Sequence, residues 1–191
     1  MNNAGTFHLI CRDCDNKVFR DYESSDNLLK VPSSKMLAEI ALKNYLKLLD
    51  KKFVEEKLHC LEDDRYGIGI QLMEEIKANN IAIKNNKRGF EKARRLARKN
   101  DNNGYYLCYH KILDYRVPVA FQSAITLVAD LKGDLVNEVY NMDSKYKPSE
   151  LQIAIFPLKE KSIIEILYMI LKKLQGGGAK ILYVRIFRKK H

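Results

Sequence analysis

The chain has 191 residues, of which 46% are hydrophobic and 30% charged, and its formal net charge is +10. This balance is typical of a globular protein with a buried core and argues against wholesale disorder. No stretch approaches the roughly 18 uninterrupted apolar residues of a membrane span, and residues 1–6 lack the basic and apolar regions of a secretory signal. We therefore expect a cytoplasmic protein without a membrane partner, whose cysteines are thiols or metal ligands more readily than disulfides.

The first feature along the chain is a cysteine pair, Cys11 and Cys14, at C-x2-C spacing, with His8 three residues earlier. A two-residue gap lets a tight turn direct two thiolates at one cation. We predict a Cys knuckle within residues 1–32, with an extended segment after it, up to Glu23. A redox function would instead place the first cysteine at the start of a helix, which the expected extended segment disfavours.

A long helix is predicted to begin after Pro32-Ser33-Ser34, which offers a serine N-cap. From Met36 onward, apolar residues recur at three- and four-residue spacing, and no glycine or proline interrupts the pattern before Leu61. This helix opens the predicted helical part of the chain, residues 33–100.

Two further helices are predicted in that part. The first covers residues 66–84 and has three candidate core residues: Ile70, Met73 and Ile76. The asparagine pairs at 79–80 and 85–86 are expected irregularities or breaks. The second, over residues 89–99, is short and strongly basic.

The composition then changes to residues that strands prefer. Four segments are rich in Val, Ile and aromatic residues: 105–113, 117–129, 134–140 and 151–156. Lys132-Gly133-Asp134 is typical of a hairpin turn. A last helix, with a wide apolar face, is predicted over residues 162–175. Three glycines, residues 176–178, then end it, and residues 181–187 are a possible final strand.

The expected fold class is therefore α+β: an N-terminal Cys knuckle and helices, then a mostly antiparallel sheet with a C-terminal helix. We expect a single domain over residues 1–191. It would comprise the knuckle (1–32), the helical part (33–100) and the sheet with its helix (104–191).

A closed structural zinc site needs two ligands besides Cys11 and Cys14. The best candidates are Cys108 and His110, because residues two apart on a strand share a face. The sequence thus predicts a zinc site of Cys11, Cys14, Cys108 and His110, with His8 as a competing fourth ligand. In the alternative interpretation, Cys60 and Cys108 are small buried hydrophobes and His110 is a satisfied polar residue.

Asp114 follows one predicted strand, and Asp130 and Lys132 follow another. They loosely resemble the D…[D/E]-x-K pattern of the restriction-endonuclease-like superfamily. The resemblance implies that both aspartates hold Mg²⁺ and that Lys132 assists the attacking water. A plain hairpin turn has the same composition and is the favoured interpretation.

Positive charge is concentrated in two stretches. Residues 80–116 contain ten Lys or Arg against three Asp or Glu, and residues 172–191 contain seven and no acid. Such concentration favours an acidic partner, and nucleic acid is the leading candidate. The side chains expected to contact phosphate are Arg88, Lys92, Arg94, Arg95, Arg98 and Lys99. Tyr105, Tyr106 and Tyr109 are candidates to stack on bases, or are core and cross-strand partners. In the alternative interpretation, these charged side chains only lie on solvated helix faces and bind no partner.

The N-terminal region is similar to a family of bacterial proteins that begin with C-x2-[C/H]-D-x3-F-x2-[I/Y]-E and have no known activity. The corresponding residues here are Cys11, Cys14, Asp15, Phe19, Tyr22 and Glu23. Residues 117–122, Asp130-x2-Gly133 and Ile155-Phe156-Pro157 also fit. A cysteine that alternates with histidine suits a metal ligand, so the resemblance favours Cys11 and Cys14.

The leading prediction is a basic protein that binds nucleic acid through its Lys/Arg patches and is held together by a zinc knuckle. The alternatives are a Mg²⁺-dependent nuclease and a protein-interaction module without catalysis. The sequence leaves the oligomeric state open.

Overall fold

The computed structural model describes residues 10–66, 69–99, 104–130, 133–143 and 145–169. Its helices are α1 (Arg12–Val18), α2 (Arg20–Glu23), α3 (Ser25–Leu28), α4 (Ser34–Tyr66) and α5 (Ile70–Lys99). Its strands are β1 (Tyr105–Leu113), β2 (Phe121–Thr126), β3 (Glu150–Pro157) and β4 (Ser162–Met169). They form an antiparallel sheet in the order β1-β4-β3-β2, so the predicted α+β class is confirmed.

Helix α4 begins where the sequence predicts. The Ser33 hydroxyl accepts a hydrogen bond from the Met36 N–H at 3.2 Å and caps the first turn. The first half packs against α5 and the sheet, and its buried apolar side chains include Met36, Leu37, Ile40, Ala41, Tyr45, Leu46 and Leu49. A 33-residue helix spans about 50 Å, about twice the length of an eight-residue strand such as β3. The second half therefore extends past the sheet.

Helix α5 is continuous, which corrects the prediction of two helices separated by asparagine breaks. Asn79 is buried inside it, and its Nδ2 donates to the Lys52 carbonyl of α4 at 3.2 Å, so the amide joins the two helices. The placement of Ile70 and Met73 in the core is also wrong, because both side chains are exposed in the first turns of α5. Among the described residues, no helix is long and apolar enough to cross a membrane.

The strands over residues 105–113 and 151–156 are confirmed as β1 and β3. The predicted strand over 117–129 is shortened to β2, and that over 134–140 is reduced to one bridge between Ala129 and Leu135. The turn between them is present. The Gly133 N–H donates to the Asp130 carbonyl at 3.0 Å, and Gly133 has a φ of +86°, a left-handed conformation that favours glycine.

The helix predicted over residues 162–175 is wrong in its first half, because residues 162–169 form β4. This strand is central: β1 pairs with it on one side and β3 on the other. Ile163 and Leu167 are buried on the face toward α4, and Tyr168 is buried on the opposite face. A strand covered on both faces reads as a continuous apolar run, which periodicity does not distinguish from a buried helix. Residues 170–175 lie outside the described ranges, as does the possible strand over 181–187.

The expected extended segment after the cysteine pair is helical instead. Helix α1 runs from Arg12 to Val18, and α2 follows it immediately. Phe19 and Tyr22, three residues apart, are both buried; Tyr22 also contacts Phe156 of β3, with ring centroids 5.7 Å apart. Because both rings must reach the same core, a helical turn at this point is favoured over a strand.

Candidate nucleic-acid interface

The second half of α5 presents the basic side chains that the sequence singled out. A groove of about 730 Å³ runs along this part of the helix. The described residues that line it are Lys87, Arg88, Glu91, Lys92, Arg94, Arg95, Arg98 and Lys99. All six predicted phosphate-contacting residues are therefore among its lining, and we call this surface the α5 groove.

Helical spacing explains why these charges lie together. Ala93, Leu96 and Ala97 are buried in the core and fix the orientation of the helix. The side chains on the opposite, outward-facing side of the helix form two adjacent stripes, in which residues recur at three- and four-residue intervals. One stripe is Arg88, Lys92, Arg95 and Lys99, and the other is Lys87, Glu91, Arg94 and Arg98.

Glu91 is the acidic side chain among the groove residues, and its Oε2 lies 2.5 Å from Nη2 of Arg94. The guanidinium of Arg94 also lies over the ring of Phe90, 5.8 Å from its centroid. Arg94 is thus held in place on the groove.

Lys147 reaches the same surface from the loop before β3. Burial, together with the nearby charges of Arg95 and Lys147, lowers the pKa of Lys92. Positive charges are therefore crowded at this end of the groove. No sequence pattern points to Lys147, because this residue is 55 residues from Lys92 along the chain.

A second cavity, of about 390 Å³, opens beside Arg88 and Lys92, which line both cavities. Its other lining residues are Tyr45, Asn85, Gly89, Lys147, Pro148, Glu150 and Met169. The Tyr45 hydroxyl donates a hydrogen bond to Oε2 of Glu150 at 2.8 Å. Burial raises the pKa of Glu150. We call this cavity the Glu150 pocket.

The three tyrosines of β1 do not form one stacking surface. Tyr105 is buried in the core shared with α4 and α5, and burial raises the pKa of its hydroxyl. Tyr106 packs against Tyr168 with ring centroids 5.4 Å apart, on the face of the sheet away from α4. Tyr106 is thus a cross-strand partner, but it is still 43% exposed, and its stacking on bases stays a prediction.

The four predicted zinc ligands are not brought together. Cys108 packs with Leu151 and Tyr168, and burial raises its thiol pKa to about 12. Nδ1 of His110 instead lies 3.4 Å from Oε1 of Glu165. Glu165 and Tyr168 are three apart in β4 and so face opposite sides of the sheet. Cys108 and His110 therefore do not share a face, because an irregularity between Leu107 and Tyr109 shifts the register of β1.

Cys11 and Cys14 are both exposed, and Cys11 is the N-cap of α1. The extended segment that counted against a redox pair is therefore not present. The Cys14 N–H donates to Sγ of Cys11 at 3.4 Å. The side-chain hydrogen bond between the two cysteines lowers the pKa of Cys11 and raises that of Cys14. In the described part of the chain, no three His, Cys, Asp or Glu side chains are arranged to hold a metal ion. His8 lies outside that part, and zinc at the cysteine pair stays a prediction.

The acidic residues of the nuclease alternative follow strands that end at opposite ends of the sheet. Asp114 comes directly after β1 and is highly exposed, 3.9 Å from Nζ of Lys161. Asp130 comes after β2, which runs antiparallel to β1. Its Oδ1 accepts from the Asp134 N–H at 3.0 Å, as in a hairpin turn. Lys132 lies outside the described residues.

No family model, curated protein or solved structure matches the chain. Function must therefore follow from the side chains themselves. The α5 groove is lined by seven Lys or Arg side chains and one Glu, and the adjoining Glu150 pocket by three Lys or Arg and one Glu.

Proposed function

We propose that this protein binds nucleic acid through the α5 groove, by contacts between its Lys and Arg side chains and the phosphate backbone. The observation that supports the proposal is the single groove lined by all six basic residues that the sequence predicts, together with Lys87. Charge concentrated on one surface attracts a polyanion far more strongly than the same charge spread over the protein.

The dimensions of the groove suit a phosphate backbone. From Lys87 to Lys99 the helix rises about 18 Å, which equals the axial rise of about five nucleotide steps in one strand of a duplex. Neighbouring side chains on a stripe have Cβ atoms about 5–6 Å apart, so several phosphates can be contacted at once. Such contacts position a strand but carry no sequence information.

The test is salt-dependent binding of labelled 20-nucleotide single strands and duplexes, measured by fluorescence anisotropy. We expect the triple variant Arg94→Glu, Arg95→Glu, Arg98→Glu to bind at least tenfold more weakly. Its plot of log K against log salt should be shallower by about one for each phosphate that the variant no longer neutralises.

The matched control is Lys51→Glu, Lys57→Glu, Lys77→Glu, three exposed lysines in the other halves of α4 and α5. It changes the net charge by the same amount, so a general charge effect would weaken both variants equally. Equal affinities of the two triple variants would overturn the assignment of binding to the α5 groove.

A further inference from the structure

The Glu150 pocket differs in chemistry from the groove that it adjoins. A carboxylate and three cationic side chains, Arg88, Lys92 and Lys147, line the same cavity. Tyr45, Pro148 and Met169 supply apolar surface between them. Apolar walls with a few convergent polar groups are typical of a small-molecule site, and about 390 Å³ lies within the usual range of about 300–1,000 Å³.

The carboxylate is built into the pocket. Glu150 is the first residue of β3, paired with Thr126 of β2, so its backbone is fixed by the sheet. The hydroxyl of Tyr45, itself buried in α4, donates to Oε2 at 2.8 Å and fixes the side chain. A carboxylate has about four acceptor positions, so this hydrogen bond leaves others for a ligand.

The cations come from two separate segments. Arg88 and Lys92 lie one turn apart on α5, and Lys147 belongs to the loop that leads into β3. All three line the same cavity, and burial together with the charges of Arg95 and Lys147 lowers the pKa of Lys92. Positive charges grouped in this way attract an anion or a set of acceptor atoms.

We infer that the Glu150 pocket receives an unpaired guanine of a strand bound in the α5 groove; this inference rests on the proposed function. Guanine presents two adjacent donors, N1–H and N2–H, which match a carboxylate. Its O6 and N7 are acceptors, which match Arg or Lys. Arg88 and Lys92 line both cavities, so they can bind the phosphate of this guanine where the pocket meets the groove.

The other bases fit this set of groups less well. An ionised carboxylate only accepts hydrogen bonds. Because burial raises the pKa of Glu150, this form of the side chain is favoured at higher pH. Adenine and cytosine each offer it one amino group next to a ring acceptor, which the carboxylate repels. Uracil and thymine offer one N–H between two carbonyl oxygens. Guanine alone among the common bases has two neighbouring donors on its Watson–Crick edge, which only an unpaired base exposes to protein.

The experiment measures binding of thymidine octamers that carry one central guanine, adenine, cytosine or hypoxanthine. We expect wild-type protein to prefer the guanine octamer by about tenfold or more, the discrimination of a bidentate contact. Hypoxanthine lacks only the N2 amino group, so its octamer should lose much of that preference. Equal binding of the four octamers by wild-type protein overturns the inference without the use of any variant.

Glu150→Gln tests the acceptor. We expect the guanine preference, measured as the ratio of affinities for the guanine and the plain thymidine octamer, to fall to about twofold or less. Glu160→Gln, a change of the same charge at an exposed position, should retain the preference. A Glu150→Gln protein that is folded by circular dichroism and still prefers guanine contradicts the assignment.

Two further outcomes separate the possible failures. If the plain octamer shows no salt-dependent binding, the proposed function itself fails; if it binds but guanine brings no gain, only the pocket assignment fails. Free guanosine monophosphate distinguishes a base within a strand from a free nucleotide. It should compete at least a hundredfold more weakly than the guanine octamer, and equal competition would overturn the assignment to a strand.

Discussion

Gly89 of α5 lies directly against the aromatic ring of Tyr45 in α4: a Cβ atom at position 89 would be 2.3 Å from Cζ and 2.4 Å from Cε1 of that ring. The absent side chain lets the two helices approach at the point where the Tyr45 hydroxyl donates to Glu150. The close approach therefore places the helix that carries the basic residues over the Glu150 pocket.

We predict that Gly89→Ala destabilises the protein, although alanine favours helix by about 1 kcal/mol. The Tyr45 ring is buried and its hydroxyl is hydrogen-bonded, so it has little room to move. Overpacking of this kind costs typically about 1–3 kcal/mol, and the midpoint of urea unfolding should fall. Gly69→Ala is the matched control, because a Cβ at Gly69 meets no atom within 4 Å. A Gly89→Ala protein as stable as wild type would contradict the packing described.

Asn44 links α4 to the sheet. It is fully buried, and its Nδ2 donates to Oε1 of Gln152 at 3.1 Å and to the Ser123 carbonyl at 3.1 Å. We expect Asn44→Ala to lower the free energy of unfolding by about 1–3 kcal/mol, since it leaves buried acceptors without a donor. Asn80→Ala, at an exposed position of α5, should change it much less. Adding Gln152→Ala to Asn44→Ala should cost less than Gln152→Ala alone; strict additivity would show that the pair is uncoupled.

Because Glu165 is buried, we predict that the stability of the protein depends on pH. Its carboxyl is fully buried, and burial raises the pKa from 4.5 to about 7. Burial also lowers the pKa of His110, its neighbour, so the imidazole gives little compensation at neutral pH. The folded state thus holds a proton that the unfolded chain releases, and stability falls as pH rises from about 4.5 to about 7.

Glu165→Gln should remove the part of this decline that Glu165 causes, so the variant gains on wild type as pH rises, by up to about 3 kcal/mol at pH 8. Glu39, whose pKa burial also raises to about 7, keeps its own part of the decline in both proteins. The measurement is urea unfolding at several pH values between 4.5 and 8. Glu160→Gln, at an exposed position, should leave the wild-type profile unchanged. If wild type and Glu165→Gln have parallel profiles, Glu165 does not titrate with a raised pKa.

The four cysteines should differ in their reactivity toward alkylating reagents. Cys11, Cys14 and Cys60 are exposed, whereas Cys108 is buried with its pKa raised to about 12. Iodoacetamide at pH 7.5 should label the exposed three in the native protein, and Cys108 only after unfolding. Mass spectrometry of peptides gives the four rates. Rapid native labelling of Cys108 would contradict its burial, and protection of Cys11 and Cys14 that a chelator removes would indicate bound metal.

The local part of this fold follows from the sequence alone. The serine cap and apolar spacing of α4, the aliphatic and aromatic composition of β1 and β3, and the cluster of basic residues near the end of α5 are patterns within a few turns of chain. Their physical causes are equally local: capping, side-chain periodicity and backbone preference. For this reason the six basic residues were predicted together and lie together.

Tertiary structure decided the rest. The run from Ser162 to Met169 is a strand because neighbours cover it on both sides, and its own apolar pattern also fits a helix. A shift of register in β1 separates Cys108 from His110, and no local residue signals it. The Glu150 pocket is assembled from α4, α5, the loop before β3, and the ends of β3 and β4. Contacts between segments so distant in sequence depend on how layers pack, which no short pattern encodes.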